Sequence, residues 1–341
     1  MIVVTDLLRR PIDEGAKVTT YNFLKQLKTY NANATVVSIN GDSSFEFVDN
    51  HYYLNKLLLN LSFFKDISQY NDNSILYIPE ASATFFSFIR AKLLYLFTGK
   101  DVYVLSLQPR TYRPISRALI KVIPPKLIIT PSNTTGRYFS KLGIKSKVLP
   151  LGVDDSKYYE FNAVVRKELR SKYKIQQGRI VLLHVGHVQH SRNLQWMVRV
   201  KEILPKIEII IVGSTYNQDD KKLYENLLNK GIRVIREYSP NMEEIYNLAD
   251  YYIFPVVRND GVIGTPLSVL EAMACNLPVI TTRFGSLPDV FKEDECFHYV
   301  KSSEEIVSIL KKSKSINCNN IEKIKPFTWD AIAVRLVEMV E

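Results

Sequence analysis

Short apolar runs rich in β-branched residues recur along the chain, at residues 2–4, 34–38, 75–78, 102–107 and 127–129, each bounded by turn formers and separated by helically spaced stretches. That alternation predicts βαβ units, a parallel sheet covered by helices. At 148–154 the sequence VLPLGVD closes one run with a proline and a glycine. The rhythm then restarts at 180–185, 209–212, 234–235, 251–254 and 279–281. The pattern therefore predicts an α/β protein of two Rossmann-like domains with parallel sheets, residues 1–152 and 153–341. A chain of 341 residues is long enough for two such cores. Open parallel sheets bind ligands at the carboxyl ends of their strands, so the loops there are where chemistry is expected.

Three of those loops hold candidate residues. Asp13-Glu14-Gly15-Ala16 opens a helix whose apolar positions are Val18, Phe23, Leu24 and Leu27. A glycine at a helix start lets the backbone approach a phosphate that the helix dipole favours; a plain tight turn fits the same residue. The second loop, GHVQHSR at 186–192, places His184, His187 and His190 three residues apart. The spacing invites a metal, but His184 falls within the strand and no carboxylate is interleaved. Arg192, a permanent cation after a strand, suits a diphosphate instead, or is a solvated surface arginine.

The third loop spans 258–266, with glycines at 261 and 264 and Thr265-Pro266 leading into the helix former SVLEAMA. Such a loop presents the unpaired N–H groups of a helix start to an anion. Glu271 then stands among Leu270, Ala272 and Met273. A carboxylate there is costly to bury unless it accepts hydrogen bonds, and a ligand's pair of hydroxyls would supply them; the alternative is an acid placed for the helix dipole. Asn276 fits a left-handed cap, and Pro278 stops the helix.

These segments together resemble the retaining nucleotide-sugar glycosyltransferases of family four. VLPLGVD resembles the family's interdomain segment, LLHVGHVQHSRNL its phosphate loop, IYNLADYYIFP the strand before the donor loop, and GTPLSVLEAMACNLPVI its donor signature. The resemblance implies the GT-B fold, an acceptor-binding first domain, a donor-binding second domain, and a last helix, opened by Phe327-Thr328-Trp329, that packs back on the first domain. It implies that Glu271 binds the donor ribose and that the Gly264-Thr265 backbone meets the diphosphate. Gly186, Pro266 and Leu267 line the same site, Arg192 replaces the family's lysine, and Gly15 faces the phosphates from the other domain. No metal or other cofactor is implied, because these groups neutralise the leaving diphosphate. Three positions depart from the pattern: His187 replaces an arginine, Ile263 an acid that holds the sugar, and Gln108 a histidine. The expected activity is hexosyl transfer with retention, from a nucleoside-diphosphate sugar to a glycan or lipid-linked acceptor. The departures keep open a non-catalytic sugar-nucleotide-binding scaffold.

Charge adds a partner. Residues 1–150 hold 19 Lys+Arg against 10 Asp+Glu, whereas the remainder holds 26 against 25. Arg113, Arg117 and Lys121 fall four residues apart, with Arg110 and Lys126 beside them, near the apolar stretches 57–64 and 85–97. A basic stripe beside apolar helices suits an anionic membrane surface or a lipid-phosphate acceptor; core helices with a solvated charged face explain the same residues. Few aromatics interleave with the stripe, which speaks against nucleic acid and against a nucleic-acid-directed glucosyltransferase. No 18-residue apolar run exists to span a bilayer. Three cysteines without a CxxC pair predict a reducing, cytoplasmic setting, no disulfide, and at most peripheral membrane contact.

Overall fold

The computed structural model describes residues 1–12, 14–57, 60–80, 82–213, 220–236, 241–257, 263–312 and 318–340. Asp13, Leu58, Leu59, Arg258, Asp260 and Gly261, which figure in the sequence argument, lie outside the described residues.

The first unit is built from β1 (Ile2–Thr5), α1 (Gly15–Tyr30), β2 (Thr35–Ile39), β3 (Asn50–Tyr52), α2 (Leu61–Gln69) and β4 (Ser74–Ile78). It continues with α3 (Phe85–Thr98), β5 (Asp101–Leu105), α4 (Pro114–Val122), β6 (Leu127–Thr130), α5 (Asn133–Lys141) and β7 (Ser146–Val148). The strands form one sheet in the order β3-β2-β1-β4-β5-β6-β7. Every pairing is parallel, with Val3 beside both Val36 and Leu76. Strands covered on both faces read as continuous apolar runs, and β1 is buried at every residue. Ile2, Val4, Ile75 and Tyr77 meet Phe63, Phe88 and Phe139 in the core.

The second unit contains α6 (Ala163–Lys172), β8 (Val181–Val185), α7 (Gln195–Ile203), β9 (Glu208–Val212), α8 (Lys221–Asn229) and β10 (Arg233–Ile235). Then follow α9 (Met242–Leu248), β11 (Tyr251–Phe254), α10 (Leu267–Ala274), β12 (Val279–Thr281), α11 (Leu287–Val290), β13 (Phe297–Tyr299), α12 (Ser303–Lys312) and α13 (Asn320–Ile324). Its sheet runs β10-β9-β8-β11-β12-β13, again parallel throughout. Helix α10 ends as its residues require: Asn276 takes φ +59, and Pro278 follows.

The chain leaves the first unit at Gly152 and returns to it twice, with the described residues 263–265 and with α14 (Trp329–Val340), which packs on α1. A Cβ on Gly152 would lie 2.8 Å from two atoms of the Trp329 indole. Only glycine permits that approach.

One expectation is corrected. Cys296 and Cys318 form a disulfide, while Cys275 is a buried free thiol. Spacing along the chain does not show that the turn through α12 brings two cysteines 22 residues apart to a Cα separation of 5.7 Å. Among the described residues no helix is long and apolar enough to cross a membrane.

Candidate functional site

In the second unit the candidate residues gather around the carboxyl ends of β8 and β11. His184 is fully buried in β8, 3.0 Å through Nδ1 from the Ile253 carbonyl. A carbonyl only accepts, so Nδ1 carries the proton and Nε2 keeps a lone pair. Burial pushes this imidazole down to about 4, so it is neutral near pH 7. Nε2 has no partner, and Gly186 sits against it: a Cβ there would lie 3.0 Å away. Gly186 is thus fixed by its contact with the histidine. His187 is half-buried in the next turn, whereas exposed His190 pairs through Nε2 with Asp220 Oδ2 at 3.0 Å. His184 and His190 therefore have separate surroundings, and among the described residues no group of three or more His, Cys, Asp or Glu is placed to hold a metal ion.

Arg192 closes a single 3₁₀ turn, His190–Arg192, before Asn193 in the left-handed region. Its side chain is buried: the residue is only 7% exposed. Among the described residues no carboxylate pairs with it, and its Nε has no hydrogen-bond partner. Burial lowers its pKa, opposed by the neighbouring Tyr252. A guanidinium taken out of water without a counter-charge is costly. An incoming anion removes that cost.

Glu271, on α10, is partly buried. Tyr246, on α9, donates its hydroxyl to Oε2 at 2.6 Å. Burial raises the carboxyl above its ordinary range, while the hydroxyls of Tyr246 and Tyr158 and the charge of Lys157 pull it back. Part of the hydrogen bonding anticipated from a ligand thus comes from the protein's own tyrosines. Tyr252, on β11, donates to Ser268 Oγ at 2.7 Å. These tyrosines were missed by sequence reasoning, although two of them stand in IYNLADYYIFP, the strand segment before the loop.

In the first unit, α1 begins at Gly15 after Glu14, with no side-chain cap. Ile263, 8% exposed, packs over Gly15: a Cβ on Gly15 would meet Ile263 Cδ1 at 3.0 Å. The Gly264 N–H donates to the Leu107 carbonyl at 3.1 Å, and a Cβ on Gly264 would meet Pro131 Cγ at 2.8 Å. Thr265 Oγ1 donates to the Pro131 carbonyl at 3.1 Å and accepts from the Leu151 N–H. The Gly264 N–H, expected at the phosphate, is thus engaged by a carbonyl of the first unit in this structure. Pro266 sits at the N-cap of α10, and buried Leu267 begins the helix. Gln108, half-buried after β5, accepts from Ser106 Oγ through its carbonyl at 3.4 Å.

The basic stripe lies on and before α4. Arg113 is the N-cap, Arg117 and Lys121 are exposed on the helix, and Arg110 stands in the preceding loop. Arg117 donates to the Tyr112 carbonyl and Arg110 to Ser82 Oγ. The same helix exposes Ile115 (77%), Leu119 (46%) and Val122 (73%). Positions 115, 119 and 122 share one helical face, an apolar stripe on the same helix as the basic residues.

Residues 179–312 match the family model described as Glycosyl transferases group 1. That match covers the part of the second unit from β8 to α12. Relatives of this chain include the sulfoquinovosyl transferase SQD2 of Arabidopsis thaliana, 28% identical over 34% of this chain and 22% of that protein. Another is the alpha-monoglucosyldiacylglycerol synthase of Streptococcus pneumoniae, 27% identical over 45% of this chain and 36% of that protein. The chain thus spans well under half the length of either relative. Among solved structures, Anabaena HepE in complex with UDP-glucose superposes with a TM-score of 0.73 at 16% identity, covering 99% of this chain and 98% of that one. Two parallel-sheet Rossmann-like units of this kind are the GT-B fold.

Proposed function

We propose that the protein is a retaining hexosyltransferase that uses a nucleoside-diphosphate sugar as donor and a glycan or lipid-linked hydroxyl as acceptor. The observation that carries this reading is Arg192, a buried guanidinium with an unpartnered Nε and, among the described residues, no carboxylate paired to it. A diphosphate supplies the missing anion, and Glu271 nearby suits the hydroxyls of a ribose. HepE holds UDP-glucose, which makes uracil the first base to test. Retention needs no strong base when the leaving phosphate itself takes the acceptor proton. Neutral His184 and the amide of Gln108 are compatible with that route. Arg192 provides the charge neutralisation that a metal ion gives elsewhere, so no metal is needed.

The acceptor side is read from α4. Three exposed apolar side chains beside Arg117 and Lys121 suit the interface of an anionic bilayer, so we place the protein peripherally at an inner membrane face with a lipid-linked acceptor. A half-apolar face does not suit nucleic acid. A scaffold that binds donor without transferring sugar is the second reading, favoured by apolar Ile263 packed over Gly15.

Titration calorimetry with UDP-, GDP- and ADP-sugars tests the donor site. One base is expected to bind; Arg192→Ala should weaken it roughly tenfold to a hundredfold, as for a charged hydrogen bond, and Glu271→Gln about tenfold. Unchanged affinity in Arg192→Ala overturns the assignment. Binding with no turnover of any acceptor supports the scaffold.

A further inference from the structure

A carboxylate accepts from a pair of hydroxyls only when it is charged and held in one orientation. On Glu271 both conditions depend on Tyr246. This tyrosine is fully buried, and its hydroxyl donates to Glu271 Oε2 at 2.6 Å. Its ring is packed edge-on by Tyr158, with centroids 5.7 Å apart, and lies 5.8 Å from the ring of Tyr252. Its helix, α9, is fastened at the carboxyl end by α6. Arg166 donates to the carbonyls of Asn247 and Ala249, and Arg170 to that of Leu248. Those carbonyls lie at a helix end, where the backbone leaves them unpaired. The donor is thus fixed in place, and the carboxylate comes to it.

The hydroxyl is also a permanent donor. Burial, and then the charge of Glu271, raises its pKa well above the ordinary value, so it keeps its proton. Burial drives Glu271 toward its neutral form, and the bond from Tyr246 is the largest influence opposing that, ahead of Lys157 and Tyr158. A carboxylate offers about four lone-pair sites, so two tyrosine hydroxyls leave about two for a vicinal diol. Tyr252 provides the contrast. It packs against the same ring, but its hydroxyl goes to Ser268 Oγ at 2.7 Å.

We propose that Tyr246 is a positioning residue of the nucleotide site: its hydroxyl fixes the Glu271 carboxylate to accept from both ribose hydroxyls, and through it the protein selects ribonucleotides over nucleotides that lack those hydroxyls. The inference rests on the donor reading of Glu271. Calorimetry on the full chain would compare UDP, GDP and ADP with their 2′,3′-dideoxy counterparts. For the base that binds, wild type is expected to prefer the ribose form about tenfold or more. Tyr246→Phe should remove most of that preference while affinity for the dideoxy form stays within about twofold, whereas a general loosening of the site would weaken both forms together. Tyr252→Phe should keep the preference. Tyr158→Phe, at a half-buried ring, should lower it by a smaller factor, and carries the test if Tyr246→Phe does not fold. Two results overturn the role of Tyr246 alone: Tyr246→Phe keeping the wild-type preference, or Tyr252→Phe losing it equally. If no nucleotide binds, or wild type shows no preference for ribose, the donor reading of Glu271 fails and the inference falls with it.

Discussion

The side chains around β8 are set by burial more than by charge pairing. Arg192 and His184 both lose solvent, and each keeps one nitrogen without a partner. For His184 this has a measurable consequence. Its folded pKa, about 4, lies below the ordinary value of 6.5. Between those values the unfolded chain takes up a proton that the folded one refuses, so the stabilisation is full above about pH 6.5 and is lost as the pH falls toward 4. The loss amounts to roughly 3 kcal/mol at about 1.4 kcal/mol per pH unit. Urea unfolding at several pH values, wild type against His184→Gln, should show a flatter dependence in the variant; parallel curves would remove His184 as the cause. Sequence was informative here in proportion to how local each cause is. Glu271 and Arg192 were visible because a helix start and a strand end are local patterns. Tyr246 was not, because its bond to Glu271 joins residues 25 apart.

Among elements, the strands that sequence revealed are the central ones, whose two covered faces demand unbroken apolar runs, together with edge strand β10, whose Val234-Ile235 is apolar. The edge strands β3, β7 and β13 escaped notice because each has only three residues, NHY, SKV and FHY, with polar side chains that an edge tolerates. Helix α4 was legible as a basic stripe but not as an apolar one, since whether Ile115 and Val122 face the core or water depends on how the helix is rotated against its sheet. Both turn outward. Co-sedimentation should therefore show binding to vesicles containing anionic lipid, weakened in high salt and on neutral vesicles, because each basic residue near the surface contributes about 1 kcal/mol. The double variant Ile115→Glu, Val122→Glu should reduce binding by more than tenfold, given about 1.5–3 kcal/mol per buried aliphatic side chain. Undiminished binding would separate α4 from the membrane.

For the molecule as a whole, the sequence rhythm located the passage near residue 152 but not the return of residues 263–265, which is made by Leu107, Pro131 and Leu151 from distant parts of the chain. At the passage itself, Gly152→Ala forces a methyl group into the Trp329 indole and is expected to cost about 1–3 kcal/mol, read as a lowered urea midpoint with the slope unchanged. Stability equal to wild type would mean that Trp329 repacks freely. The pairing of α1 with α14 also sets an order of assembly. A ribosome makes the N-terminal residues first, and a domain ordinarily closes as soon as its own stretch is out. Here the covering of α1, which ends at Tyr30, is made only from Trp329 onward. The first unit is thus the last to be completed, and a nascent chain carries an uncovered α1 until the Trp329 helix arrives.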